Sequence, residues 1–467
     1  MINYLLRTLS HGFNYTKFYS GVAIKAANRR KYLRARMLLK YSKQDRAKLD
    51  KLQLDKLNAI LTYANENVPY YHEMFRSIGL INNKKKTIQL RHLNELKSIP
   101  YLDKEIIRKA GQSLYSETHQ QRGAYKNTSG GSTGEKAIFL QDSFYNENTS
   151  STFRFARRLM GIPYYASDSV LLWAAVQDIG VPVIAHNVLN ILFKNTITLN
   201  SCRMTKEDMR AILNIINVKK PTFIRGYSQS LYELANFAKR ENIKVCPQNI
   251  VISTATTLLK EMRDLVESVF SCKVFDYYGS REVGAIASEC FAHDGLHILE
   301  DNNILEVVDE SGNDIHPGGI GEIIVTTLNN YSMPLIRYRI GDRAATYNKT
   351  VKCSCGCNYK KLKQIVGRTA DIFILKNGDM VDGTYLTTLL NTIETIERFQ
   401  IIQHDYNLVE LIVQAKEHLP DDKTRMIDTQ LKKSMGAECI IKWRYTSFIN
   451  PGPTGKYRYV ISKIKNK

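Results

Sequence analysis

The sequence contains no run of the ~20 consecutive apolar residues that a membrane-spanning helix requires, so we do not expect it to cross a bilayer. Its first 25 residues are interrupted by polar side chains and lack the continuous apolar core of a secretory signal. Internal repeats and low-complexity tracts are also missing. We therefore expect a cytoplasmic protein whose eight cysteines are reduced or metal-bound rather than paired in disulfides.

The 45 acidic residues are fewer than the 66 Lys and Arg, and the resulting net charge of +21 is unevenly distributed. Residues 1–46 contain eleven Lys and Arg but one acidic residue, Asp45, which gives this N-terminal arm a net charge of +10. Apolar residues alternate with basic ones at helical spacing over 23–43, so the arm either lies on an anionic membrane surface or packs as a basic helix on its own domain. No nucleic-acid motif accompanies the charge, and no nucleic-acid partner is expected.

The length of 467 residues and the changes in pattern along the chain predict an α/β protein of more than one domain. Residues 45–80 are typical of a long helix that ends near Pro69, followed by a short one. Short apolar runs alternate with helical patterns over 165–290, which favours a largely parallel sheet, and 296–376 is typical of antiparallel strands. After 370, strands and helices alternate again.

The most unusual stretch is 127–139, "NTSGGSTGEKAIF", which is rich in glycine and hydroxyl groups. It is not a Walker A loop, because Gly130 and Gly134 are separated by three residues and Glu135 precedes Lys136. The glycine pattern of dinucleotide-binding loops is absent from this stretch as well. Taken alone, the stretch is either a loop that presents N–H groups and hydroxyls to phosphate or a plain surface turn.

Five stretches in order carry a resemblance to a known family: "NTSGGSTGEK" (127–136), "YYGSREVG" (277–284), "YRIGDRA" (338–344), "IVGRTAD" (365–371) and "PTGKYR" (453–458). Together they resemble the signature motifs of the adenylate-forming superfamily. Within it the chain resembles the branch of the phenylacetate-CoA ligases, coenzyme F390 synthetases and CapK-type capsular polysaccharide proteins. The resemblance covers nearly the whole chain after about residue 45.

This resemblance implies the adenylate-forming fold, with a large N-terminal domain over 47–369 and a small α+β C-terminal lid over 370–467, joined by a hinge at 369–371. It also implies a site for ATP in which the loop 128–136 holds phosphates, Tyr278 stacks on adenine and Asp342 binds the ribose hydroxyls. The nucleotide-binding residues implied in this way are Thr128, Ser129, Gly130, Gly131, Ser132, Thr133, Gly134, Lys136, Ala255, Thr256, Tyr277, Tyr278, Gly279, Asp342 and Arg368.

Three catalytic residues follow from the same resemblance. Glu282 would ligate Mg²⁺, since this hard cation prefers carboxylate oxygen. Arg281 stands where the wider superfamily commonly has Thr, and it would add a contact to phosphate. Lys456 resembles the lysine that the small C-terminal domain brings over the active site during adenylation.

Cysteine and histidine residues form a second candidate site within 290–357. Cys290 and His297 precede Cys353, Cys355 and Cys357 by about sixty residues, and four such ligands make a closed tetrahedral zinc site. We predict structural zinc on Cys290, His297, Cys353 and Cys355, with His293 as the rival histidine. The alternative is a group of buried thiols without metal.

The sequence therefore predicts an ATP- and Mg²⁺-dependent adenylate-forming ligase, similar to acid–CoA ligases. It would activate a carboxylic acid and transfer the acyl group to CoA, a carrier thiol, or an amine or hydroxyl of a saccharide. The resemblance favours capsular or surface polysaccharide biosynthesis, and the basic arm suits a peripheral position on the inner face of the membrane. The alternative is a non-catalytic scaffold of the same fold that docks on membrane or polyanion.

Overall fold

In a computed structural model of the protein, the described residues are 26–81, 87–128, 137–165, 169–173, 196–201, 204–349, 352–368, 372–376, 380–382, 390, 393, 395–415, 417–449 and 458–464. Within these ranges, no helix is both long and apolar enough to span a membrane. The described α-helices are α1 (Ala26–Tyr41), α2 (Arg46–Asn67), α3 (Pro69–Ser77), α4 (Lys104–Ala110), α5 (Ser143–Leu159), α6 (Lys206–Lys219), α7 (Ser228–Arg240), α8 (Lys260–Phe270) and α9 (Asp421–Met435). Short 3₁₀ helices span Leu93–Ser98 and Gly111–Leu114.

Local sequence signals explain where the first helices begin and end. The Asp45 side chain accepts a hydrogen bond from the Lys48 amide at 2.9 Å, which caps the start of α2. Val68 is extended and Pro69 occupies the first turn of α3, so the chain breaks between the two helices. The predicted long helix followed by a short one is confirmed.

The largest sheet has eight strands, in the order β13-β9-β8-β7-β6-β5-β3-β4. Strands β4, β3, β5, β6 and β7 run parallel, as the alternating pattern predicted, whereas β8, β9 and β13 extend the sheet antiparallel. Its strands are β3 (Ser169–Trp173), β4 (Thr196–Asn200), β5 (Phe223–Tyr227), β6 (Ile250–Thr254), β7 (Lys273–Ser280), β8 (Gly284–Glu289), β9 (Leu296–Ile298) and β13 (Lys361–Leu362).

A second, antiparallel sheet has the order β10-β11-β12-β14 and agrees with the change of pattern after residue 296. Its strands are β10 (Asn303–Val308), β11 (Ile320–Thr327), β12 (Tyr338–Ala345) and β14 (Gln364–Arg368). A hairpin of β1 (Tyr125–Thr128) and β2 (Ile138–Gln141) lies beside these sheets. One apolar core packs α2, α3, the hairpin and strands of both sheets together, and it fixes the relative position of the two sheets.

The C-terminal part contains a mixed four-stranded sheet in the order β19-β18-β17-β20, with α9 packed in its core. Its strands are β17 (Ile396–Asp405), β18 (Leu408–Ala415), β19 (Ile440–Thr446) and β20 (Val460–Ser462), and a short hairpin of β15 (Ile372–Ile374) and β16 (Met380–Asp382) precedes them. This small α+β unit agrees with the expected C-terminal domain. An ion pair of 2.7 Å joins it to α7 through Arg398 and Glu233.

The basic helix α1 packs on the large domain through its apolar and charged residues. Ala35 and Leu38 are fully buried, and Arg34 forms a 2.7 Å ion pair with Asp301. Arg30 pairs with Glu147 on α5. Of the two expectations for the arm, packing on its own domain describes residues 26–46, while residues 1–25 lie outside the described part of the chain.

Candidate active site

The eight-stranded and four-stranded sheets meet at a hydrogen bond between Tyr278 and Asp342. Tyr278 lies near the end of β7, and its hydroxyl donates to the Asp342 carboxylate at 2.7 Å. Asp342 lies on β12 directly opposite Arg368 of β14 in the strand register. Three residues expected at the nucleotide are therefore neighbours in space, although the Arg368 side chain lies outside the described part.

Glu282 lies in the turn between β7 and β8, and only 7% of its surface is exposed. The nearest described cation is Lys104, whose Nζ lies 4.0 Å from Glu282 Oε1. Since the turn is tight, a Cβ on Gly279 would come within 2.7 Å of the Gly284 carbonyl oxygen. This close backbone approach requires a glycine at position 279.

The hairpin that carries the glycine-rich loop is attached to the turn of Glu282. The Gln141 side chain, at the end of β2, donates a 2.6 Å hydrogen bond to the Arg281 carbonyl, and the Tyr145 hydroxyl donates to the Glu282 carbonyl at 3.4 Å. Thr128 is the last residue of β1 and lies opposite Ile138. Gln141 pairs with Tyr125 at the other end of the hairpin, so the contact with the Glu282 turn holds the hairpin at the end away from the loop. The loop itself lies outside the described residues, which leaves unplaced Ser129, Gly130, Gly131, Ser132, Thr133, Gly134 and Lys136.

Ala255 and Thr256 follow β6 at the carboxyl edge of the parallel sheet. Ala255 has a φ of +73°, which is unusual for a residue with a side chain. The Ser228 hydroxyl donates to the Thr256 carbonyl at 2.7 Å and holds this turn against the start of α7. Arg281, by contrast, is exposed to solvent, which leaves its side chain accessible to a bound phosphate.

Tyr277 and Tyr278 are consecutive residues of β7, so their side chains point to opposite faces of the sheet. Tyr278 meets Asp342, whereas Tyr277 packs edge-on against Phe153 of α5 with ring centroids 5.0 Å apart. Burial raises the pKa of Tyr277 to about 12. The structure thus separates Tyr277 from the group formed by Tyr278 and Asp342, although the resemblance had grouped them.

The remaining predicted elements of the active site fall outside the described residues. These are Lys456 and the hinge at 369–371. Arg458, two residues after Lys456, is described, and its carbonyl accepts a 3.0 Å hydrogen bond from Gln400 of β17. Arg458, the first described residue after Lys456, is therefore joined to the C-terminal sheet.

The four residues expected to bind zinc lie together, with one ligand atom from each within 4.8 Å of the others. The Sγ atoms of Cys290 and Cys353 are 3.5 Å apart, and Cys355 Sγ lies 3.3 Å from His297 Nε2. His297 Nδ1 faces the Tyr359 carbonyl at 3.4 Å, which favours Nε2 as the nitrogen that binds a metal. Three thiols and one imidazole in this arrangement match the donor set of a closed tetrahedral zinc site.

His293 and Cys357, which lie outside the predicted set of zinc ligands, have other neighbours. The rival His293 stacks on Phe275 with centroids 4.4 Å apart, and its Nδ1 lies 3.5 Å from Glu289. Cys357 is buried, and its amide donates to Cys355 Sγ at 3.4 Å. A hydrogen bond from a backbone amide is a common support for a metal-bound thiolate, so Cys357 contributes its backbone to the cluster.

Sequence reasoning missed two groups of residues around this site. Gln141 and Lys104, which contact the Glu282 turn, are ordinary polar residues whose positions depend on distant pairing. Arg225 in β5 was not singled out from the sequence. A signal was present, because an arginine interrupts the apolar strand "FIRGY" in the middle of a parallel sheet.

Comparison with known proteins relates most of the chain to Protein CapK and to phenylacetate-coenzyme A ligases. Residues 373–463 match the family model of the CapK C-terminal domain. The chain is 24% identical to Protein CapK of Staphylococcus aureus over 89% of this chain and 90% of that protein. It is 26% identical to a phenylacetate-coenzyme A ligase of Thermus thermophilus over 76% of this chain and 78% of the ligase.

The fold is shared with solved structures of CoA ligases. A structure of 2-hydroxyisobutyryl-CoA ligase in the postadenylation state aligns with a TM-score of 0.69 over 90% of each chain, at 17% identity. The predicted adenylate-forming fold is therefore confirmed. The resemblance to CapK and the phenylacetate-CoA ligases is confirmed as well, and the prediction of an acid–CoA ligase-like enzyme agrees with these relatives.

Proposed function

We propose that the protein uses ATP and Mg²⁺ to convert a carboxylic acid into an acyl adenylate and then transfers the acyl group to an acceptor. The observation that carries this proposal is the contact of Tyr278 with Asp342 beside the nearly buried Glu282, at the junction of the two sheets. An aromatic ring, a ribose-binding carboxylate and a metal-binding carboxylate are the groups that a bound Mg²⁺–ATP requires.

The proposed chemistry assigns a role to each side of the site. In the adenylation step, a substrate carboxylate oxygen attacks the α-phosphate of ATP and pyrophosphate leaves. Negative charge grows on phosphate oxygens, so positioned donors and cations lower the barrier. We assign Lys136 and the loop 128–136 to the β- and γ-phosphates, Arg281 and Lys456 to the reacting phosphate, and Arg368 to the nucleotide. Mg²⁺ held by Glu282 would neutralise phosphate charge.

We further propose that Cys290, His297, Cys353 and Cys355 hold a structural zinc ion. The donor set of three thiols and one imidazole, within 4.8 Å of one another, fits zinc better than a hard cation. The Asn358 amide, beside this cluster, donates to the Ser42 carbonyl, and its side chain donates to the Gln44 carbonyl at 3.0 Å. A zinc ion would therefore stabilise the turn between α1 and α2 as well as the loop 353–357.

The acceptor and the pathway are proposed from the relatives. Phenylacetate-coenzyme A ligases are named for a CoA acceptor, which makes the CoA thiol the first candidate, with a carrier thiol or a saccharide amine or hydroxyl as the others. The likeness to Protein CapK supports a role in capsular or surface polysaccharide biosynthesis. In that role the acyl group would modify a saccharide directly or through a thioester.

A second proposal concerns the exposed face of α1, which would contact the cytoplasmic face of an anionic membrane. This face combines Leu33, 50% exposed, and Met37, 37% exposed, with the exposed cations Arg29, Arg36 and Lys40. The opposite face is held on the domain by Ala35, Leu38 and Arg34. A helix held in this way presents apolar and basic side chains on the same outward surface, as interfacial helices do.

The scaffold alternative would use this surface without catalysis. It is disfavoured because a scaffold has no physical need for the Tyr278–Asp342 contact beside a nearly buried Glu282. ATP–pyrophosphate exchange with Mg²⁺ distinguishes the two functions, using a panel of aryl, fatty, amino and uronic acids. Exchange that depends on one class of acid supports the enzyme. The absence of exchange with every acid of the panel, together with no Mg²⁺-dependent stabilisation by ATP, supports the scaffold.

A further inference from the structure

Arg225 is a guanidinium in the middle of the parallel sheet. It lies on β5, opposite Leu171 of β3 and Ile252 of β6 in the strand register. Burial lowers the pKa of Arg225 below its ordinary value. Arginine stays charged even so, and a positive charge in an apolar sheet is costly unless a partner compensates it.

Three aromatic rings surround the Arg225 guanidinium. Its central carbon lies 4.5 Å from the ring centroid of Phe153, 5.1 Å from that of Tyr277 and 5.5 Å from that of Trp173. These contacts attract the cation through the ring faces but accept no in-plane N–H bonds. The five N–H donors of the guanidinium therefore remain to be satisfied by something other than the rings. We call Arg225, Phe153, Tyr277 and Trp173 the arginine box.

No counter-ion for Arg225 is found among the described residues. Its Nε is buried and has no hydrogen-bond partner, and no described carboxylate forms an ion pair with it. Arg225 also has a positively charged neighbour, Arg157. Burial lowers the pKa of Arg157 to about 9, and repulsion from Arg154 and Arg225 adds to this effect. Arg225 is half-buried and its Nε has no partner, so an anion that paired with the guanidinium would offset the cost of removing this charge from water.

The arginine box adjoins the proposed nucleotide site across one strand. Tyr277 belongs to the box, and the next residue, Tyr278, bonds Asp342 on the other face of β7. Trp173 is the last residue of β3, so the box lies near the carboxyl edge of the parallel strands, where ligands of α/β sheets bind. A molecule that passes this edge can reach both faces.

We propose that the arginine box binds the acyl substrate and that Arg225 pairs with a second carboxylate of that substrate, which selects dicarboxylic acids. The inference rests on the proposed adenylation. The paired carboxylate is not the one that reacts, because a bidentate pair with Arg225 occupies both oxygens and lies on the opposite face of β7 from Tyr278. The rings of Phe153 and Trp173 would contact the carbon skeleton between the two carboxylates.

The test compares each dicarboxylic acid with its monoamide, which has nearly the same shape but one negative charge fewer. The probes are adipic acid with adipic acid monoamide, and 4-carboxyphenylacetic acid with 4-carbamoylphenylacetic acid. Two readouts are taken on the full chain: ATP–pyrophosphate exchange, and the thermal midpoint with each acid in the absence of ATP. The variants are Arg225→Met and Arg225→Lys, with exposed Arg240→Met as the matched control.

We expect the wild type and Arg240→Met to prefer the diacid over its monoamide by about 10²-fold in kcat/KM, the scale of a charge-assisted bidentate pair. Arg225→Met should lose this preference, because its kcat/KM for the diacid should fall towards its own value for the monoamide. Arg225→Lys should keep only part of the preference, because an ammonium lacks the planar fork. Folding is not expected to fail, because an apolar residue of similar length replaces a half-buried charge that has no ion pair with a described carboxylate.

Equal rates within each pair of acids, or an equal loss with both acids in Arg225→Met, would overturn the inference. The thermal readout separates its failure from that of the proposed function. Stabilisation by diacids alone, lost in Arg225→Met, with no exchange by any acid, would support the arginine box and contradict adenylation. Exchange with monocarboxylic acids, without any advantage for diacids, would support adenylation and contradict the arginine box.

Discussion

The Tyr278 hydroxyl donates a 2.7 Å hydrogen bond to the Asp342 carboxylate, and this contact joins the two sheets of the large domain. Because Tyr278 is on β7 and Asp342 on β12, the bond fixes the distance between the aromatic ring and the carboxylate proposed to bind the two ends of adenosine. The carboxylate is thereby oriented before the nucleotide binds, which reduces the entropy cost of binding.

Removing this hydroxyl should weaken ATP binding while leaving the aromatic ring in place. For Tyr278→Phe we expect an increase of about 10-fold in the KM for ATP, which corresponds to one hydrogen bond to a charged group. Asp342→Ala, which removes the ribose contact itself, should raise it by about 10²-fold. Exchange kinetics measure both, with exposed Tyr406→Phe as the control. An unchanged KM in Tyr278→Phe would show that Asp342 needs no orientation by Tyr278.

Replacing Lys456 should slow the adenylation step and no other step of the reaction. We expect Lys456→Ala to slow adenylation by ~10²–10³, the effect of removing one contact to the transition state. Stopped-flow measurement of pyrophosphate release reports this step directly. Exposed Lys442→Ala, on β19, is the control for a general loss of positive charge in the C-terminal part. A wild-type rate in Lys456→Ala would remove this lysine from the site.

The proposed zinc ion should be lost when one of its thiols is replaced. Cys353→Ser should reduce zinc from about one equivalent to well under one, and it should increase proteolysis near 42–46, because Asn358 holds the Ser42 turn. Elemental analysis of protein purified without chelator and limited trypsin digestion measure the two effects. Cys357→Ser, outside the predicted ligands, should keep its zinc. Wild-type protein without zinc would contradict the proposal.

A pH effect is expected from Asp276 on β7. Burial, followed by Glu289, raises the pKa of Asp276 to about 7. The neutral form of Asp276 contributes to the free energy of unfolding. This contribution is fully present below pH ~4, where the unfolded chain is protonated as well, and it is lost as the pH rises through about 7. The thermal midpoint of Asp276→Asn should therefore rise by several degrees relative to the wild type between pH 4 and pH 8. A constant difference, like that expected for exposed Asp264→Asn, would contradict this assignment.

Binding of the exposed face of α1 to a membrane should depend on both charge and apolar contact. Vesicles with anionic lipid should sediment the protein at low salt and release it at high salt, because screening weakens surface charge. The double variant Leu33→Ser, Met37→Ser should bind several-fold less, while Ile440→Ser, an exposed apolar residue on β19, should bind normally. Equal sedimentation with neutral vesicles would exclude the proposed mode.

The sequence predicted those parts of the fold that depend on local signals. The cap at Asp45, the break at Val68 and Pro69, and the alternating strands and helices are determined by neighbouring residues. The addition of β9 and β13 to the large sheet was not predicted, because their pairing joins residues far apart in the chain, such as His297 and Lys361. Periodicity gives the type of an element and does not give its partner.

The candidate site likewise contains some residues that the sequence predicted and others that only the structure revealed. Motifs located Tyr278, Glu282 and Asp342 because their spacing is short and characteristic. Arg225 was not singled out because its importance depends on what surrounds it, and only the structure shows three aromatic rings and no described carboxylate around its guanidinium. The structure also brings His297, the histidine predicted from the sequence, into the cysteine cluster, whereas its rival His293 is not part of that group.

The most direct test of the proposed chemistry follows the oxygen atoms of the substrate. With an acid that supports exchange, both carboxylate oxygens are labelled with ¹⁸O, and the AMP formed in the complete reaction is analysed by mass spectrometry. Attack of the carboxylate on the α-phosphate predicts one ¹⁸O atom in each AMP. Unlabelled AMP, or label in inorganic phosphate instead, would contradict acyl-adenylate formation as the activity of this protein.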